Sequence, residues 1–179
     1  MQRHNYFDFE NTVRAAKRLG FDKISFLAAD VFTSAFNRCN PWNEQRVSEI
    51  ALSRDEVTHF EVILENAVAA LKQDFASGFI VESTGKLNRI LQYYRAVNSD
   101  GDFPRPICNA PWVSAVIDSD GSVLPCFFHK PYGNIFENEF SEIINSKEAV
   151  KFRRRLHVAK DETCKKCVCS LKLGVRQMS

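Results

Sequence analysis

Long apolar runs are missing from this chain of 179 residues. No stretch approaches the roughly 18 residues that a membrane-spanning helix needs, and Met1-Gln2-Arg3-His4-Asn5 opens no signal-peptide core. A cytoplasmic protein with no membrane partner is therefore expected. An excess of one charge is missing too: 24 basic and 22 acidic residues leave a net charge of +2, which argues against nucleic acid as an obligatory partner. No internal repeat or low-complexity tract is visible. Cysteine is almost absent from the first 107 residues, where only Cys39 occurs. What is present is ordinary for a core-forming chain, with 45% hydrophobic and 26% charged residues. Six cysteines on that background, without a secretion signal, do not read as a disulfide framework.

The remaining cysteines crowd into the C-terminal part. Cys108 is followed by Gly121 and then, after four more residues, by Cys126, and Cys164 and Cys167 form a C-x-x-C pair. Such a thiolate quartet suits a metal centre, because soft sulfur ligands select Zn²⁺ or iron-sulfur clusters over the hard cations. Trp112 to Asp118 (W-V-S-A-V-I-D) and Ser122 to Phe128 (S-V-L-P-C-F-F) are apolar runs on either side of an Asp-Gly turn signal, so the spacing predicts a β-hairpin. Gly121 supplies the positive φ of the turn. Pro125 cannot donate to a ladder, which puts Cys126 at an edge or bulge.

The run from Cys108 to Cys169, with G-S-V-L-P-C, Tyr132-Gly133-Asn134-Ile135 and Cys164-Lys165-Lys166-Cys167, resembles the C-terminal auxiliary-cluster region of radical SAM enzymes, the SPASM and twitch domains. The resemblance implies that Cys108, Cys126, Cys164 and Cys167 hold one auxiliary [4Fe-4S] cluster used in electron transfer. The two-cluster SPASM form has further cysteines spaced by five and then three residues. This chain has only Cys169, one residue beyond Cys167, so the single-cluster twitch form fits better. The C-x-x-x-C-x-x-C loop that binds and cleaves S-adenosylmethionine in that family is not found here. The chain alone is therefore expected not to generate the adenosyl radical, and S-adenosylmethionine is expected as a cofactor only if a missing N-terminal barrel half is supplied as a partner. The substrate, whether peptide, protein or small molecule, is not encoded. A structural zinc site on the same four cysteines, stapling an interaction module, is the alternative.

The N-terminal half reads as part of an α/β layer. Phe9, Val13, Ala16 and Leu19 share a helical face ended by Gly20, and Lys23 to Ala29 (K-I-S-F-L-A-A) has the length and near-continuous apolarity of a buried parallel strand. Phe79 to Val81 offers a second strand. Ser53 and Glu56 form a capping box ahead of a stripe of Val57, Phe60, Leu64, Ala67, Val68 and Leu71. Thr84 to Val97 carries Leu87, Ile90, Leu91 and Tyr94 at helical spacing. The expected fold is α/β: residues 1–97 as the closing βα portion of a partial TIM-type barrel plus a connecting helix, then residues 98–179 as a small α+β domain with a hairpin and short helices. Asn98 to Pro106 is the linker between them. Glu139 to Asn145 and Lys147 to His157 are the short helices.

Other residues carry weaker signals. Cys39, in the loop after the predicted strand, reads as an ordinary loop cysteine rather than a reactive thiol. Asp30 is a pocket residue or, equally, a turn cap. His129 and His157 read as spare surface histidines rather than zinc ligands, four cysteines being already available. Lys165 and Lys166 stand between two ligands and would raise a cluster's potential, unless they only solvate the turn. Arg153-Arg154-Arg155 reads as a solvated helix face, and Cys169 as a spare thiol rather than a fallback ligand.

Overall fold

The computed structural model describes residues 1–35, 38 and 40–174. Cys39 lies outside the described residues. The chain divides into two compact units, Met1–Phe32 with Trp42–Pro104, and Thr33–Pro41 with Arg105–Ser179.

The first unit is helical. After a 3₁₀ turn at Tyr6–Asp8 come α1 (Phe9–Arg18), α2 (Glu44–Ile50), α3 (Arg54–Ala70), α4 (Lys72–Ala76) and α5 (Thr84–Val97). The capping box forms as its sequence dictates: Ser53 Oγ accepts from the Glu56 amide at 3.4 Å, and Glu56 Oε2 accepts from the Ser53 amide at 2.7 Å. Helix α3 packs on both α1 and α5. Phe9, Val13, Phe60, Leu87 and Tyr94 are the fully buried centre, each worth about 1.5–3 kcal/mol of burial for an aliphatic or phenyl side chain. Val68, expected in the stripe, is only half-buried, and Leu19 is exposed at 75%. Leu19 sits at the C-cap of α1, one residue before Gly20 with φ +77°, where the helical face has already turned away from the core.

The run 23–29 departs from expectation. It pairs as a parallel strand only at one bridge, Ile24 with Ile80; the Ile24 amide donates to Phe79 O at 2.8 Å and the Val81 amide to Ile24 O at 2.9 Å. Beyond that bridge, side chains take the place of a second strand. The buried Glu82 carboxylate accepts from the Phe26 amide at 2.7 Å and from Ser25 Oγ at 2.8 Å, and Tyr94 Oη accepts from the Ala29 amide at 2.9 Å. Burial alternates, with Phe26 and Ala28 inside and Ser25 and Leu27 outside. This is a one-sided extended segment rather than a strand buried on both faces. Among the described residues this unit holds no strand beyond the bridge, so the expected βα portion of a barrel has that single parallel pair behind it. Asp30 is 7% exposed, and its carboxylate accepts from the Phe32 amide at 3.2 Å as a turn cap does.

The second unit is α+β: α6 (Ala110–Val113), β1 (Val116–Ile117), β2 (Ser122–Leu124), β3 (Gly133–Asn134), α7 (Phe140–Ile144), α8 (Lys147–Arg155) and α9 (Glu162–Lys165). The sheet is antiparallel in the order β1-β2-β3, with Val116 opposite Leu124 and Ser122 opposite Asn134. The hairpin is shorter than expected. Pro111 starts a helical turn that takes Trp112 out of the first strand, and Pro125 ends the second. Val123, Ile143 and Ala149 form the small core. No helix among the described residues is long and apolar enough to cross a membrane.

Candidate metal centre

Three local structures place the cysteines. Cys108 precedes α6 and accepts a hydrogen bond on Sγ from the Ala110 amide at 3.4 Å. Cys126 follows β2 and Pro125 in a bend, where the Phe128 and His129 amides donate to its sulfur. Cys164 lies in the single turn of α9, whose N-cap Asp161 accepts from the Cys164 amide at 2.9 Å, and the Cys167 amide closes the turn onto Cys164 O at 3.2 Å. The Cys169 amide donates to Cys167 Sγ at 3.3 Å. A side-chain and backbone clasp at Asn109 binds the far end of the unit: its amide donates to Leu171 O at 2.7 Å, Nδ2 donates to Leu173 O at 3.0 Å, and Oδ1 accepts from the Leu173 amide at 3.0 Å.

Cys108, Cys126, Cys164, Cys167 and Cys169 all line one recess. Its other walls are largely apolar, with Pro106, Pro111, Phe128, Leu156 and Val158 among them. The crowding is visible in the acidities. Burial pushes the Cys167 thiol up to about 12, and the neighbouring sulfurs of Cys169, Cys108 and Cys126 add to the rise. Burial also raises Cys164, with the Asp161 carboxylate reinforcing it, and raises Cys126, against the pull of the two amides. Packed sulfurs, with amide donors to those of Cys108, Cys126 and Cys167, suit a cationic centre that would take the place of the thiol protons. Burial and donors of this kind are what an iron-sulfur site uses, so the residues present fit such a group.

His129 is not the surface residue expected from sequence. Its side chain is only 11% exposed, its ring meets Phe152 edge-on at 5.0 Å, and its Nε2 stands 3.5 Å from Cys164 Sγ and 3.8 Å from Asp161 Oδ1. Burial lowers its pKa, against the opposing charge of Asp161, so the neutral imidazole is favoured. A histidine three residues after Cys126, on the same bend, was the available signal. His157 is exposed. Lys165 Nζ is held by Glu162 at 2.6 Å, which favours the solvated-turn reading over a charge reserved for the sulfurs. Arg154 and Arg155 are exposed, whereas Arg153 is half-buried and its charge acts on Tyr132.

Gly121 ties the hairpin to this geometry. Its φ is +83°, and an added Cβ would lie 2.6 Å from Asn134 Oδ1 and 2.6 Å from the Phe136 ring. Gly121→Ala is expected to destabilise the second unit by about 2–5 kcal/mol, the sum of the left-handed backbone cost and overpacking. Gly78, at φ +74° with nothing within 4 Å, is the control: Gly78→Ala meets only the backbone cost of about 1–2 kcal/mol. Urea unfolding of the two variants checks this, and equal losses would remove the steric part of the argument.

Residues 108–168, about a third of the chain, match the family model for SPASM, an iron-sulfur cluster-binding domain. No curated protein and no solved structure matches the chain.

Proposed function

We propose that, with residues 108–168 matching an iron-sulfur cluster-binding domain, the second unit holds one [4Fe-4S] cluster on Cys108, Cys126, Cys164 and Cys167 and serves as the auxiliary electron-transfer module of a radical SAM enzyme. The observation that carries the reading is the gathering of these four cysteines, at twitch-type spacing, around one apolar recess. When bound, such a cluster supplies a one-electron site. The residues of the chain do the rest. The four thiolates would hold the group, the Ala110, Phe128, His129 and Cys169 amides would stabilise sulfur charge, and Leu156 and Val158 would keep water from the recess.

Spacing supports a cluster over a single ion. A tetrahedral zinc thiolate brings its sulfurs to about 3.8 Å from one another, given zinc–sulfur bonds of about 2.3 Å. Among the described residues, no three of the cysteine sulfurs fall within 4.8 Å of one another. The first unit, with its helices and the parallel Ile24–Ile80 bridge, is on this reading the closing portion of a barrel, and S-adenosylmethionine enters only when a C-x-x-x-C-x-x-C loop is supplied by a further segment or partner.

Anaerobic reconstitution tests the reading. Iron and acid-labile sulfide should each approach about four per chain, with absorbance near 400 nm. Stoichiometric zinc without iron would replace it with the structural zinc alternative, since d¹⁰ zinc thiolates are colourless.

A further inference from the structure

The one trio of donors among the described residues that has mononuclear spacing is not a set of cysteines. It is His129, Asp161 and Cys164, whose ligand atoms all lie within 4.8 Å of one another. The Nε2 to Sγ distance of 3.5 Å is what tetrahedral zinc requires, about 3.5 Å for bonds of about 2.05 and 2.3 Å. The Nε2 to Oδ1 distance of 3.8 Å is wider than the ideal by about half an ångström, within reach of a small side-chain rotation. Nitrogen, oxygen and sulfur donors together suit a borderline ion rather than Mg²⁺ or Ca²⁺.

Each donor is also held in place. Phe152 braces the imidazole, and Asp161 is anchored as the N-cap of α9 by the Cys164 amide, so the carboxylate and the sulfur are fixed on one turn. The same thiol also lies near the sulfurs of Cys126 and Cys167, with which it lines the recess.

We propose that His129, Asp161 and Cys164 form a second, mononuclear zinc site that shares Cys164 with the cluster site, so that the two occupancies exclude each other. Zinc enters as the divalent ion, Cys164 releases its thiol proton to solvent, His129 binds through neutral Nε2, and water fills the fourth position. No redox step is involved. The exclusion rests on Cys164 being a cluster ligand as proposed above; the zinc site itself does not.

The test uses the full chain, prepared metal-free under anaerobic conditions, with Zn²⁺ as the probe against a competing chelator. About one zinc per chain is expected, retained in the double variant Cys108→Ser/Cys126→Ser. Affinity should fall roughly tenfold or more in His129→Ala and in Asp161→Asn, the range seen when a ligand's support is lost. Asp161→Asn keeps an oxygen acceptor for the cap, so the loss cannot be ascribed to an unfolded turn, and far-UV circular dichroism checks His129→Ala. Zinc that survives both of these changes but vanishes from the double cysteine variant overturns the proposal, as does a parent chain that binds no zinc.

Exclusion is read separately. One equivalent of zinc added before reconstitution should lower iron uptake in the parent and leave it unchanged in His129→Ala. Full zinc and full iron in the same chain overturns the exclusion. A parent that binds zinc through His129 but never takes up iron sinks the cluster reading instead, and leaves the zinc site standing.

Discussion

Cys126→Ser is expected to empty the iron-sulfur site, with iron and sulfide after anaerobic reconstitution falling roughly tenfold or more, and Cys108→Ala, Cys164→Ala and Cys167→Ala should do the same. Cys169→Ala should leave both nearly intact. The distinction is physical. Cys169 also lines the recess, but the hydrogen bond it gives the ligand set is the backbone N–H donated to Cys167 Sγ at 3.3 Å, which alanine retains. The ligand cysteines each contribute the sulfur itself. Loss of one leaves an open iron and also weakens a unit whose core is little more than Val123, Ile143 and Ala149. If Cys169→Ala empties the site while Cys167→Ala does not, the ligand assignment is wrong.

Glu82→Ala should damage the first unit by about 2–4 kcal/mol, the cost of a buried amide left without an acceptor together with the charge-assisted hydrogen bonds lost. Glu82 is 1% exposed. Its carboxylate accepts from the Phe26 amide, Ser25 Oγ and, at 3.2 Å, Lys86 Nζ. Alanine leaves the Phe26 amide buried without an acceptor, while Lys86, 39% exposed, can turn to water. Glu82→Gln keeps one acceptor oxygen and should lose less, about 1–3 kcal/mol. Urea unfolding of both variants measures the difference. A glutamine variant as damaged as the alanine variant would show that the charge, rather than the capped amide, is what matters.

The same residue explains why part of the fold was not legible. Helix α5 runs from Thr84 to Val97 as its spacing predicts, and the Ser53–Glu56 box starts α3, because caps and periodicity act over three to seven residues. Gly121 could be read for the same reason: an Asp-Gly pair between apolar runs demands a positive φ. The run 23–29 could not. Its apolarity suggested a strand with neighbours, yet its amides are taken by Glu82 and Tyr94, 56 and 65 residues away in sequence. No local pattern marks a glutamate as the substitute for a strand. Trp112 was misplaced because Pro111 favours the first turn of a helix as readily as it breaks a strand.

At the candidate centre, the gathering of the cysteines into one recess could be anticipated, since thiols at such spacing have few uses apart from metal. The position of His129 could not. Three residues beyond Cys126 along an irregular bend, its direction depends on Phe152 of α8 and on where α9 sets Asp161. Both are contacts between elements distant in sequence.

The Asn109 clasp bears on how fast such a centre could assemble. It joins positions 64 apart, and closing a flexible loop of that size costs roughly 3.7 kcal/mol of chain entropy by the (3/2)RT ln n rule. With the loop already closed by three hydrogen bonds, Cys108 and the cysteines of the C-terminal turn meet an incoming ion at a high effective concentration instead of searching for one another across an open chain. The neighbour of one thiol thus sets the pace at which all of them can be filled.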